Sequence, residues 1–325
     1  MPQSFHHFIY LAKAQFETPI PFQFILMKFG KLPDISSVNF RLPADPQRNS
    51  ELKSEATSTE FYLGATGWSM KEWIGRLYPK GTKAKDFLSQ YTKHFNTIEL
   101  NTTHYRIPTE EIIEKWFKES SDDFRFCPKI PQTISHSRDL DLNDKYLSIF
   151  CKNIVGLKHK LGCCFIQLPP YFDRGSLAIL ENFLNRFPPD IPLAVELRHE
   201  SWFEGDNKEW ADLLQKYNRT AVITDVAGRR DVLHMELTNS TTMIRFVGND
   251  LHPSDEFRAA EWVERLSRWK EYGLKDAYIF THEPDNLLSP EMADIFVKRL
   301  SDDIGVKIRG PVFRDENEGS QISLF

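Results

Sequence analysis

The sequence predicts an α/β protein, a TIM-type (β/α)8 barrel in a single domain behind an irregular N-terminal extension. Three observations carry this. From residue 61 onward, eight short apolar runs follow one another, each but the sixth answered by an amphipathic helical stretch. The runs are apolar almost throughout, the pattern of parallel strands covered on both faces rather than of half-exposed hairpins. The Gly-rich phosphate fingerprint usual in an open doubly wound sheet is missing. A chain of 325 residues, 41% hydrophobic, has room for one barrel of about 250 residues with an extension.

Residues 1–60 are expected to be extension and linker, 61–308 the barrel and 309–325 a flexible tail. Residues 1–26 are aromatic and irregular, without a secretory pattern, and Met27 reads as a more natural start. Residues 42–60, rich in Pro, Ser, Thr and charge, read as extended linker. The first unit pairs a strand at 61–68 with a helix at 84–95, where Phe87, Leu88, Tyr91 and Phe95 recur at helical spacing. The second takes 97–105 and 109–120, the third 124–130 and 142–161, the fourth 163–169 and 176–187. The fifth strand, 193–199, precedes a helix opening at Asp206 with Glu209 three residues on, a capping-box-like start. No clear helix follows the sixth strand at 220–226. The seventh unit takes 242–248 and 259–272; the eighth takes 277–282 and a helix entered through Ser289-Pro290.

A net charge of -5 argues against a broad nucleic-acid or membrane-binding surface, so a polyanion must be gripped locally. Cys127, Cys151, Cys163 and Cys164 show no metal-ligand spacing and read as reduced, buried thiols of a cytoplasmic protein. No apolar run is long enough to cross a membrane as a helix.

In a barrel the working face lies where strands end. Seven of the eight strands close on a polar group while their first halves stay apolar: Glu99 and Asn101, Lys129, Gln167, Glu196 with Arg198, Asp225, Arg245, and His282 with Glu283. Together with His136, His199, Trp68, Tyr105 and Trp202 these describe a cup of carboxylates, cations and rings. Such a cup suits an anionic ligand. Arg198 can grip phosphate or carboxylate bidentately, Lys129 and Arg245 add charge, and Glu196, Asp225, Glu99 or His199 can move a proton. Trp68, Tyr105 and Trp202 offer stacking surfaces. The adjacent Lys and Arg disfavour a zinc or manganese site, and no metal ligand set is assigned. The pattern names no cofactor.

Several spaced motifs resemble one family. They are Gly64-Ala-Thr-Gly-Trp-Ser69, Asn96-Thr-Ile-Glu-Leu-Asn-Thr-Thr-His-Tyr-Arg106, Phe126-Cys-Pro-Lys129 with Ile134-Ser-His136, Gln167-Leu-Pro-Pro170, and Glu196-Leu-Arg-His199 with Ser201-Trp202. In this order they resemble the domain-of-unknown-function 72 family, the YecE-like proteins. The resemblance implies a TIM-type barrel and a polar cup, but no established reaction. It places Glu99, Asn101, Tyr105, Lys129, His136, Gln167, Glu196, Arg198, His199, Trp202 and Arg245 in the pocket.

The last residues, Gln321, Ile322, Ser323, Leu324 and Phe325, resemble the pentapeptide by which bacterial replication and repair proteins hold the DNA sliding clamp, with Ile in place of Leu. An amide and two apolar anchors on a tether suit a groove. The leading expectation is an enzyme, a hydrolase or lyase, that binds an anionic small molecule or nucleic acid and is recruited to DNA by its tail. A non-catalytic ligand-binding or adaptor module, and a metabolic isomerase or hydrolase unrelated to DNA, are the alternatives.

Overall fold

The computed structural model describes residues 30, 32–52, 54, 56–205 and 208–314. The Met27 start, the Asp206 cap and the tail pentapeptide lie outside the described residues.

Strands and helices alternate as expected. β1 (Glu60–Gly64) leads through α1 (Phe87–Tyr91) to β2 (Thr97–Leu100), followed by α2 (Thr102–Tyr105) and α3 (Glu110–Glu119). β3 (Arg125–Pro128), α4 (Gln132–Ser135) and α5 (Leu147–Ile154) come next, then β4 (Cys164–Gln167), α6 (Leu177–Arg186), β5 (Leu193–Glu196) and α7 (Glu209–Lys216). β6 (Thr220–Asp225) is followed only by a 3-10 segment, Ala227–Val232, and then come β7 (Thr241–Val247), α8 (Pro253–Glu271), β8 (Asp276–His282) and α9 (Ser289–Ile304). α9 stops at Gly305, whose φ of 67° is the left-handed cap that glycine adopts without a Cβ penalty.

Among the described residues every strand pair is parallel. The strands form two ladders, one in the order β1-β8-β7-β6-β5-β4 and one of β2 with β3. Backbone bonds cross both gaps, among them Gly162 N–H to Phe126 O at 2.8 Å between β3 and the entry to β4. Glu99 N–H donates to Ala65 O at 3.1 Å, and Ile130 N–H donates to Phe165 O at 2.8 Å. The α/β class and parallel sheet match the sequence reading.

Two large apolar clusters pack the helices against the sheet. A third joins Tyr62, Cys127, Phe165, Ala194, Val222, Met243 and Phe280, drawn from seven of the strands. All four cysteines are free and buried. No helix among the described residues is long and apolar enough to cross a membrane.

The stretch read as linker is docked over its first half. The Asp45 carboxylate accepts from Arg265 at 2.9 Å and from the Trp269 indole at 3.0 Å. Asn49 is fully buried, donating to Met235 O at 2.6 Å and accepting from Leu237 N–H at 3.0 Å. Asn49, which reads as solvated, thus satisfies backbone that no ladder reaches.

Candidate functional site

Alternation along the strands builds the site. Two residues beyond six of the seven named members of the third apolar cluster, the same face turns polar; Tyr62 leads only to Gly64. Cys127 leads to Lys129, Phe165 to Gln167, Ala194 to Glu196 and on to Arg198, Val222 to Thr224, Met243 to Arg245, and Phe280 to His282. β2 brings Glu99 to the same place.

One network of hydrogen bonds and ion pairs joins these ends except Thr224, whose hydroxyl has no partner among the described residues. Arg245 donates from Nε and Nη2 to the two oxygens of Glu99 at 2.8 and 3.0 Å, and from Nη1 to Glu196 Oε2 at 2.8 Å. Gln167 Nε2 donates to the same Glu196 oxygen at 2.8 Å, while its Oε1 accepts from Lys129 Nζ at 2.9 Å. Glu99 also receives Asn101 Nδ2 and lies 2.9 Å from His282 Nε2. Arg198 Nε stands 3.6 Å from Glu196 Oε1.

The charges sort themselves. Burial alone would raise the Glu99 carboxyl, but Arg245 and His282 outweigh it and hold it well below the usual range. Glu196 obeys the same logic: burial opposes ionisation, and Arg245 with Arg198 overcomes it. Burial, then repulsion from Arg245, brings the Lys129 ammonium down to about 8. Burial likewise brings Arg198 down to about 10, against the attraction of Glu196. Two ionised carboxylates therefore face two guanidiniums and one amine.

A cleft of about 560 Å³ opens above the network, lined by Gln167, Arg198, Thr224, Arg245 and His282. The loops after β7 and β8 add Asn249, Asp250, His252, Glu283 and Asn286, and Leu32, Pro33 and Ile35 form another wall. Glu283 is buried; its Oε2 accepts from Asp250 N–H at 2.9 Å, and its Oε1 has no hydrogen-bond partner among the described residues. Burial, then the charge of Asp255, pushes this carboxyl up to about 8. Gly248 makes room for it, since a Cβ there would stand 2.0 Å from Oε1.

The family model described as "Protein of unknown function DUF72" matches residues 62–312. The chain belongs to the DUF72 family. It is 32% identical over 251 residues to the UPF0759 protein YecE of Escherichia coli K12, covering 71% of this chain and 89% of that protein. It is 33% identical over 150 residues to the UPF0759 protein YunF of Bacillus subtilis 168, covering 44% of this chain and 52% of that one. The crystal structure of a DUF72 family protein from Enterococcus faecalis V583 superposes with a TM-score of 0.63 at 20% identity, covering 79% of this chain and all of that one. That likeness speaks for the fold alone. The DUF72 match takes in every network residue, whereas the cleft wall at 32–35 precedes it.

Other expected site residues of this DUF72 chain do not line the cleft. Asp225 is a correction: its side chain points to α8, where Arg258 lies 2.9 Å away and the Trp262 indole donates at 2.7 Å. Arg230 pairs with it as well. The inward residue of β6 is Thr224, one position earlier. Trp202 is not a free stacking face; it is buried on Phe172, whose carbonyl its indole bonds at 2.7 Å. The His199 ring is turned to its own loop, taking Ser201 N–H at 3.2 Å and meeting Ser201 Oγ at 2.8 Å. Trp68 packs edge-on against Trp116 and Phe126. Tyr105 is exposed beside His104, and the His104 ring lies 5.4 Å from that of His136. Thr224 and Asn249 carry no charge to mark them in the sequence, and Glu283 stands there beside His282 with nothing to assign it a role.

Proposed function

We propose that the strands close into an eight-stranded TIM-type barrel whose cup binds an anionic, phosphate-bearing ligand, with acid-base chemistry of a hydrolase or lyase. Closure is supported by the backbone bonds across both gaps and by an apolar cluster drawing on strands from both ladders. The anion reading rests on one observation: two ionised carboxylates meet three cationic side chains, of which Arg198 and Arg245 line one cleft. The surplus positive charge is local, since the chain as a whole carries -5.

Arg198 and Lys129 bind the anion, while Arg245 serves mainly to hold the two carboxylates. Carboxyls pushed apart in acidity divide the proton work. Glu196, ionised, accepts a proton, and Glu283, neutral near pH 7, donates one. The sequence of residues 321–325 supports recruitment to the DNA sliding clamp, which brings a nucleic-acid substrate within reach.

Calorimetric titration with sulfate tests the cup. Losing one charge-assisted contact in Arg198→Ala or Lys129→Ala weakens binding about tenfold or more, with little change in melting. Equal loss of stability and no sulfate binding in the intact protein would leave only a structural ion-pair cluster. Removing residues 321–325 abolishes co-elution with purified sliding clamp; unchanged co-elution removes the DNA connection.

A further inference from the structure

Lys129 holds an unusual place in the network. Both carboxylates accept hydrogen bonds from Arg245, and Arg198 stands beside Glu196. The hydrogen bond found for the Lys129 amine goes to a neutral amide oxygen, Gln167 Oε1 at 2.9 Å. Its Nζ stands 5.8 Å from the centre of the Phe165 ring, and the side chain is 8% exposed.

Glu99 and Glu196 attract the amine, Arg245 and Arg198 repel it, and the His104 and His136 rings face it from the α2 and α4 side. Two negative charges cannot serve three cations. Guanidiniums do not give up protons in proteins, so the group that yields is the lysine. Its fall to about 8 agrees with that reasoning. A desolvated amine beside cations is the setting in which lysine becomes a nucleophile.

We infer that Lys129 is a reactive amine that condenses with the carbonyl group of a phosphate-bearing aldehyde or ketone, the anion being held by Arg198. The inference rests on the anion-binding reading of the cup and narrows it toward a lyase. The Nζ lone pair adds to the carbonyl carbon, giving a carbinolamine. Both amine protons leave with the former carbonyl oxygen as water, and a C=N bond remains. No oxidant or metal enters the balance.

Reductive trapping tests this on the intact chain. Pyridoxal 5′-phosphate supplies an aldehyde and a phosphate, borohydride fixes any imine, and peptide mass spectrometry locates it. At pH 8 an amine of this acidity has a neutral fraction about a hundredfold above that of an ordinary lysine. Labelling at Lys129 is therefore expected about tenfold or more above any other lysine, rising from pH 6.5 to 8.5 and suppressed by excess sulfate. Lys129→Arg keeps the charge and loses the label. Labelling at Lys129 that sulfate leaves unchanged removes the phosphate-holding half of the inference and the anion reading with it. Labelling spread over surface lysines with Lys129 spared overturns the reactive amine, while sulfate binding by calorimetry would still sustain the cup.

Discussion

At the scale of single residues, Arg245 decides whether the network exists. Its guanidinium contacts both oxygens of Glu99 and one of Glu196, and both carboxylates are shut off from water. A buried ion pair gains little over a well-packed apolar replacement, yet removing one partner strands the other. Arg245→Met leaves two buried carboxylates without their main counter-charge. The expected loss is about 3–5 kcal/mol by urea unfolding at neutral pH. Arg245→Lys should recover only part of it, because an ammonium cannot form the forked contact. Much of this was legible in the sequence. Glu99, Gln167, Glu196 and Arg245 each stand between apolar neighbours in their strands, so parity alone placed them together.

At the scale of elements, β6 and α8 show where such reading stops. β6 is buried along its whole length, so no exposed face marks its parity, and it ends on two adjacent polar residues, Thr224 and Asp225. The charged one draws attention. Its neutraliser, Arg258, lies on a helix 33 residues later and is itself fully buried. α8 also buries Asp255 and Arg258 on its inner face, which disguises its first turns and makes the helix read as beginning at 259 rather than Pro253. Asp225 therefore fastens a strand to a helix. Asp225→Ala removes the partner of a wholly buried guanidinium and should cost about 3–5 kcal/mol of stability. Sulfate affinity in the surviving folded fraction should stay within about twofold, measured by calorimetry well below the melting temperature.

At the scale of the whole molecule, the N-terminal segment joins the site without belonging to the family-matched span. Phe40 lies under the Arg230 and Arg258 guanidiniums, and Asp45 and Asn49 fix the neighbouring stretch to the body of the protein. Ahead of these anchors, Leu32, Pro33 and Ile35 side the cleft, and Gly30 O accepts from Gly228 N–H at 2.8 Å. From residue 42 to 60 composition showed Pro, Ser, Thr and charge, because docking there depends on polar groups whose partners lie some two hundred residues away. Deleting residues 1–38 keeps the anchors, so the melting temperature should move by no more than a few degrees. Sulfate should dissociate faster, as read from exchange broadening of cleft resonances in NMR.

The seating of Gly30 against Gly228 is close enough that a methyl group at Gly228 would stand 2.6 Å from the Gly30 carbonyl oxygen. A side chain at Gly228 would therefore push this stretch off its seat, while the anchors at Phe40, Asp45 and Asn49 stay in place. Under the proposed function, residence time in the cup and the chemistry beneath it would be set by different parts of the chain, and selection could lengthen one without retuning the other.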